Sequence, residues 1–160
     1  MQREIRQTKP FATPEQEGAL GLLRTADVLR RHLSSLVAPH GITPQQYNVL
    51  RILRGAGAAG LPTLDVAARM IEQAPGITRL MDRLEAKGLV RRERCPTDRR
   101  QVLAYITARG RSLLAGLDSV VERADCAALG GLKRRDVLAL IRLLDAVRAG
   151  HTHSQSSNPR

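Results

Sequence analysis

Between Thr78 and Arg100 the chain gathers side chains suited to reading a polyanion. Thr78, Arg79, Asp82, Arg83 and Lys87 stand opposite Ile77, Leu80, Met81 and Leu84 at helical spacings, so one face of this segment is apolar and the other carries hydroxyl and guanidinium groups. Thr78, Arg79 and Arg83 are the candidates for direct contact with DNA. An arginine that meets guanine through two bonds is worth about 1–3 kcal/mol of discrimination. Downstream, residues 89–103 hold five arginines (Arg91, Arg92, Arg94, Arg99, Arg100) against two acids (Glu93, Asp98). A local excess of cations suits phosphates or a narrow minor groove, where the potential is most negative. Catalytic and metal chemistry lack comparable signals. The chain has no C-x-x-C, H-E-x-x-H, phosphate loop or G-x-S-x-G, so neither an enzyme nor a cofactor is expected. His151-Thr152-His153 has no visible third ligand, and no metal site is expected there.

The elements that must position these residues follow from periodicity and punctuation. Leu64, Val66, Ala67, Met70 and Ile71 predict the buried face of a short helix capped by Thr63. A second helix is expected over residues 75–87, with Pro75 in its first turn and a left-handed cap at Gly88. Residues 89–94 and 101–107 then have strand character on either side of a turn-like stretch, Cys95 to Arg100, which makes a hairpin with a basic tip. Upstream, Thr13-Pro14-Glu15-Gln16 and Thr43-Pro44-Gln45-Gln46 are two copies of one helix-start signal. The first opens a helix reaching Val37 or Ala38 with Leu22, Ala26, Leu29, Leu33 and Leu36 in a stripe. The second runs over residues 44–54 with Tyr47, Leu50 and Leu53 inward and ends in a glycine-rich loop, residues 55–60, before a candidate short strand at Leu61-Pro62. Thr107 caps a helix over residues 108–127 with an apolar stripe at Leu113, Leu114, Leu117, Val120, Val121 and Ala124. Gly130-Gly131 interrupts it, and a last helix is expected over residues 133–149.

Composition narrows the class. The 160 residues are 42% apolar and 2% aromatic, with net charge +11 and a pI near 11.2. That is enough for one core of Leu, Val, Ile and Ala, and the charge favours a polyanionic partner. No segment has the apolar length to span a membrane and the N-terminus lacks a signal-peptide core, so a membrane is not expected and a cytoplasmic location is. Two cysteines, Cys95 and Cys126, do not make a disulfide framework.

The ordered set Thr-Arg-Leu-Met-Asp-Arg-Leu-Glu-Ala-Lys-Gly (residues 78–88), Gly88-Leu89-Val90, Arg94, Asp98-Arg99-Arg100 and Ile106-Thr107-Ala108-Arg109-Gly110 resembles the recognition helix, wing and following helix start of the MarR family of winged helix-turn-helix regulators. The resemblance implies a mainly α fold with a small β wing and with N- and C-terminal dimerisation helices. It implies a MarR-type domain over residues 11–150 with its winged core at about 42–107 and dimerisation helices at about 13–38 and 108–149. Outside the resemblance, the polar, basic residues 1–10 are expected to form a flexible arm and residues 151–160, without core-forming side chains, a disordered tail. It also implies a homodimer on a pseudo-palindromic double-stranded operator, two reading helices about one turn of DNA, or ~34 Å, apart. In the wing, Arg99 and Arg100 are implied as DNA contacts, with Asp98 orienting Arg100.

Release of such a repressor by a small, in some members aromatic, ligand is what the family implies, and His32, Leu36, His40, Tyr47 and Arg51 are the candidate lining. Two other readings exist: a winged-helix module for a protein or RNA partner, and a regulator switched by thiol oxidation at Cys95, which lies beside Arg94. Arg100→Ala is expected to weaken operator binding and to flatten its dependence on salt, measured by fluorescence anisotropy across a salt series. Unchanged affinity and an unchanged slope would reject the wing role.

Overall fold

The computed structural model describes residues 4–72, 76–95 and 101–156, and side chains as far as residue 150. The order is α1 (Pro14–Val37), α2 (Pro44–Ala56), β1 (Leu61–Pro62), α3 (Thr63–Ala68), α4 (Ile77–Ala86), β2 (Val90–Arg94), β3 (Val102–Ile106), α5 (Ala108–Leu129) and α6 (Arg134–Ser156). Both predicted start signals form. Thr13 Oγ1 accepts from the Gln16 N–H at 3.2 Å, and Pro14 occupies the first turn. At α2 the box is reciprocal: Gln46 N–H to Thr43 Oγ1 at 3.2 Å and Thr43 N–H to Gln46 Oε1 at 3.1 Å. Such a cap stabilises a helix start by about 1 kcal/mol.

The described residues fall into two compact units, residues 1–121 and 122–160. In the first, α2 supplies Tyr47, Val49, Leu50 and Leu53, α4 supplies Leu80, Met81 and Leu84, and α5 supplies Leu114, Leu117 and Val121 to one core. A three-stranded antiparallel sheet of order β1-β3-β2 borders it, with Leu61 paired to Ala104, Val90 to Ile106 and Arg92 to Ala104. Arg54 and Asp118 join α2 to α5 through two bonds of 2.8 and 2.9 Å. The hydrogen bond from Arg54 holds the Asp118 carboxyl below its ordinary value. A lowered carboxyl stabilises the fold above its unfolded pKa and loses that contribution as pH falls through the folded one. The pair is solvent-exposed, so its worth is about 0.2–1 kcal/mol.

In the second unit, Leu132, Leu138, Ile141, Leu143 and Val147 are exposed, and Val137, Leu140 and Leu144 are half-buried. No helix among the described residues is long and apolar enough to cross a membrane.

Several expectations are corrected. Thr63 is the first residue of α3 and not its cap, and α3 ends at Ala68. Leu64 and Ile71 are 78% and 80% exposed, so only Val66 of the predicted face is fully buried. Beyond the helix, the Ile71 N–H donates to Asn48 Oδ1 of α2 at 2.9 Å. Helix α4 starts at Ile77 after Gly76, whose φ of +94° no side-chain cap accompanies; Pro75 lies outside the described residues. No correction arises in α1, where Leu22 and Leu29 of the expected dimerisation helix are exposed in the single chain. The glycine-rich loop after α2 is ordered: Gly57–Ala59 form a turn of 3-10 helix, and Gly60, at φ +65°, lies under the Tyr105 ring, where a Cβ would come within 2.5 Å of Cε1. Helix α6 continues to Ser156, into the segment expected to be a tail.

The hairpin is joined to α5 by a compact knot. Thr107 Oγ1 donates to Gly88 O at 2.8 Å and accepts from the Gly110 N–H at 3.0 Å, while the Thr107 N–H donates to Leu89 O at 3.1 Å. A Cβ on Gly110 would stand 2.4 Å from that same Leu89 oxygen. Gly110→Ala is therefore expected to lower stability by about 1–3 kcal/mol, although alanine is the better helix former. Thermal unfolding checks the sign; a raised melting temperature would contradict the close approach.

Candidate nucleic-acid interface

Helix α4 buries Leu80, Met81 and Leu84 and leaves Thr78, Arg79, Asp82, Arg83 and Ala86 outward. Residues one, four, five and eight positions after the first share one helical face. The side chains of Arg79 and Arg83 form no hydrogen bond or ion pair with another described residue. Their guanidinium donors are available.

The other charged groups of this region are engaged. Lys87, expected on the outward face, donates from Nζ to Gly41 O and to Gln46 Oε1 at 3.2 Å, tying the end of α4 to the start of α2. Gly88 then turns the chain at φ +66°. Arg92 on β2 is the hub of a second tie. Its Nη2 meets Asp82 Oδ1 and Glu85 Oε2 at 2.6 Å each, its Nε meets Glu85 Oε2 at 2.9 Å, and its backbone N–H meets Glu85 Oε1 at 3.0 Å. The hydrogen bond to Glu85, partly offset by desolvation and reinforced by the hydrogen bond to Asp82, raises the Arg92 guanidinium above its ordinary pKa. Arg91 lies 4.2 Å from the centroid of the Tyr105 ring and pairs with Glu93. Sequence reasoning grouped Arg91, Arg92 and Arg94 as one basic stretch. Strand alternation puts Arg91 on the opposite face from Arg92, and the acids three residues apart on α4 were the visible signal for its partner.

At the hairpin, the Cys95 N–H donates to Gln101 O at 2.9 Å and closes its base. Asp98, Arg99 and Arg100 lie outside the described residues.

A cleft of about 320 Å³ opens beside α4. Arg30, Arg31 and Ser34 of α1, the first residues of α2 from Thr43 to Gln46, Glu72, and Leu80 and Arg83 of α4 line it. Arg30 Nε pairs with Glu72 Oε1 at 2.7 Å, and Arg31 pairs with Asp27 at 3.1 Å. None of the five expected pocket residues is among this lining. His32, His40 and Arg51 are exposed, Leu36 is half-buried, and Tyr47 is 4% exposed within the core. The Arg51 guanidinium lies 5.8 Å from the Tyr47 ring centroid. Glu72 reaches Arg30 from far along the chain, so no local spacing in α1 marks this cleft.

Among the described residues there is no group of three potential metal ligands, Cys95 is half-buried, and Cys126 is exposed.

Comparison with known proteins places this arrangement. The MarR family model matches residues 42–102. The transcriptional regulator TtmR of Methylorubrum extorquens is 34% identical over 142 residues, covering 83% of this chain and 69% of that protein. A variant of Escherichia coli MarR solved with operator DNA superposes with a TM-score of 0.73 at 27% identity, covering 81% of this chain and 91% of the other. Bordetella bronchiseptica BpsR, whose DNA binding is regulated by 6-hydroxynicotinic acid, superposes with a TM-score of 0.75 at 28% identity over 88% of this chain and 98% of its own. With a winged helix-turn-helix built on α3, α4 and the β2–β3 hairpin, and relatives that share it over most of their length, the chain belongs to the MarR family of transcriptional regulators.

Proposed function

We propose that this regulator is a repressor that binds a pseudo-palindromic operator as a homodimer through α4 and the wing, and that a small ligand releases it. The observation that carries the DNA reading is the pair of unengaged guanidiniums, Arg79 and Arg83, on the outward face of a helix whose inward face is core. The operator complex of Escherichia coli MarR, a relative of the same fold, supports that assignment. Thr78, on the same face, completes the direct contacts, and Arg99 and Arg100, oriented by Asp98, supply those of the wing.

Pairing of two chains is supported by apolar side chains without cover within either unit: Leu20, Leu22, Leu23, Val28 and Leu29 on α1, and Leu138, Ile141, Leu143 and Val147 on α6. Exposed apolar area of this kind favours association. Binding should be read from a duplex that the protein itself enriches from a random pool. Arg79→Ala and Arg83→Ala are each expected to weaken it by about 1–3 kcal/mol, with sedimentation reporting a dimer. A monomer, or equal grip on random and enriched duplexes at physiological salt, would reject the reading.

The small effector is assigned to the cleft beside α4 in place of the five residues around Tyr47. Its cations, with Pro44 and Leu80 as apolar lining, suit a small organic acid. The BpsR relationship with 6-hydroxynicotinic acid supports this ligand class. A ligand shifts operator affinity only by its differential affinity for the bound and released forms. Thermal-shift and anisotropy titrations with 6-hydroxynicotinate and benzoate are expected to stabilise the free protein and weaken its hold on DNA, with Arg31→Ala abolishing both effects. Retention of both effects in that variant would remove the site from the cleft.

A further inference from the structure

Two carboxylates stand on the helix assigned to DNA. Asp82 lies in the middle of the outward face of α4, between Arg79 and Arg83 in the chain, with its side chain 52% exposed; Glu85 flanks it at 39%. Facing a duplex, both lie within the ~8 Å over which charges interact at physiological salt, and both are repelled by phosphate. The guanidinium of Arg92 faces these acids, and its side chain is 23% exposed.

We infer that Arg92 serves DNA binding as a charge mask, offsetting one of the two negative charges of Asp82 and Glu85 so that Arg79 and Arg83 meet the duplex against −1 and not −2, while itself touching no DNA. The inference rests on α4 being the reading helix. Its physical content is the summed charge of three groups: one cation and two anions leave −1 at this edge of the helix. Loss of the cation makes it −2, loss of all three charges makes it zero, and loss of the acids alone makes it +1.

That arithmetic separates masking from the two roles that resemble it. If Arg92 only pins β2 to α4, every substitution that breaks the pin weakens binding, whatever charge it leaves. If Arg92 itself contacts phosphate, every variant without it binds poorly, whether or not the acids remain. Masking alone ranks the variants by charge.

The test uses the full chain and the duplex enriched by the wild-type protein, with anisotropy titrations from low to physiological salt. The expected order of affinity, weakest first, is Arg92→Met, wild type, the triple variant R92M/D82N/E85Q, and the double variant D82N/E85Q. At low salt Arg92→Met is expected to bind roughly tenfold more weakly than wild type, and the gap should narrow as salt rises. A triple variant as weak as Arg92→Met would overturn the mask, and so would a double variant weaker than wild type. If Arg92→Met does not fold, the triple variant, which lacks Arg92 and leaves no acid uncompensated, is compared with wild type: binding tighter than wild type supports the mask, and weaker or equal binding overturns it. Failure of the wild-type protein to enrich any duplex would reject DNA reading by α4 itself, a result distinguishable from each of these.

Discussion

A helix of ten residues does not hold its shape in water by its own hydrogen bonds. The DNA-reading candidate α4 is such a helix, and it begins after a left-handed glycine that offers it no side-chain cap. Its geometry therefore depends on what grips it. Leu80, Met81 and Leu84 bury its inner face, the Lys87 ammonium fastens its last turn to the carbonyl of Gly41 and the amide of Gln46, and Arg92 fastens Asp82 and Glu85 to the wing strand. Each grip comes from a different element, so the orientation of α4 is a property of the whole first unit.

This arrangement explains what could be read from the chain and what could not. Local signals were legible where the physics is local: the two Thr-Pro starts, the buried positions of α2, the inner face of α4, the glycine at position 88 and the hairpin strands all depend on neighbours within a turn or two. Leu64 and Ile71 misled because an apolar residue at a helical spacing is buried only if the helix continues and something packs on it. Here the helix has already ended at Ala68, and the Ile71 N–H bonds to Asn48, distant in sequence. Gly60 similarly looked like slack in a flexible loop, whereas its lack of a side chain makes room for the Tyr105 ring. The cleft beside α4 was not legible for a related reason. Tyr47 and Leu36 pack in or against the core, whereas the cleft is lined by residues that meet through the pairing of Arg30 with Glu72, far apart in the chain.

Charge shows the same division. A net +11 says that the chain prefers polyanions, and says nothing about which cation meets one. Geometry sorts them. Arg30, Arg54, Lys87 and Arg92 spend their donors on Glu72, Asp118, the start of α2 and the acids of α4. Arg91 is shared between Glu93 and an aromatic face. What remains on α4 is Arg79 and Arg83, and these are the side chains whose spacing first marked the helix as a reader of bases and phosphates.

The same fastening limits how a ligand can act on this helix. Packed cores give way in discrete rearrangements and not by smooth bending. With its inner face in the core and its charged groups tied to α2 and β2, α4 is expected to shift only together with both. The cleft touches this assembly at three places: Arg30 and its Glu72 partner before α4, the capped start of α2 to which Lys87 is bound, and Arg83 on α4 itself. An anion entering there offers Arg30 and Arg83 an alternative partner without cutting the Lys87 or Arg92 ties. Its effect would fall first on the Arg30–Glu72 link between α1 and the turn before α4, and on a guanidinium that DNA also needs, leaving the internal geometry of the reading head intact.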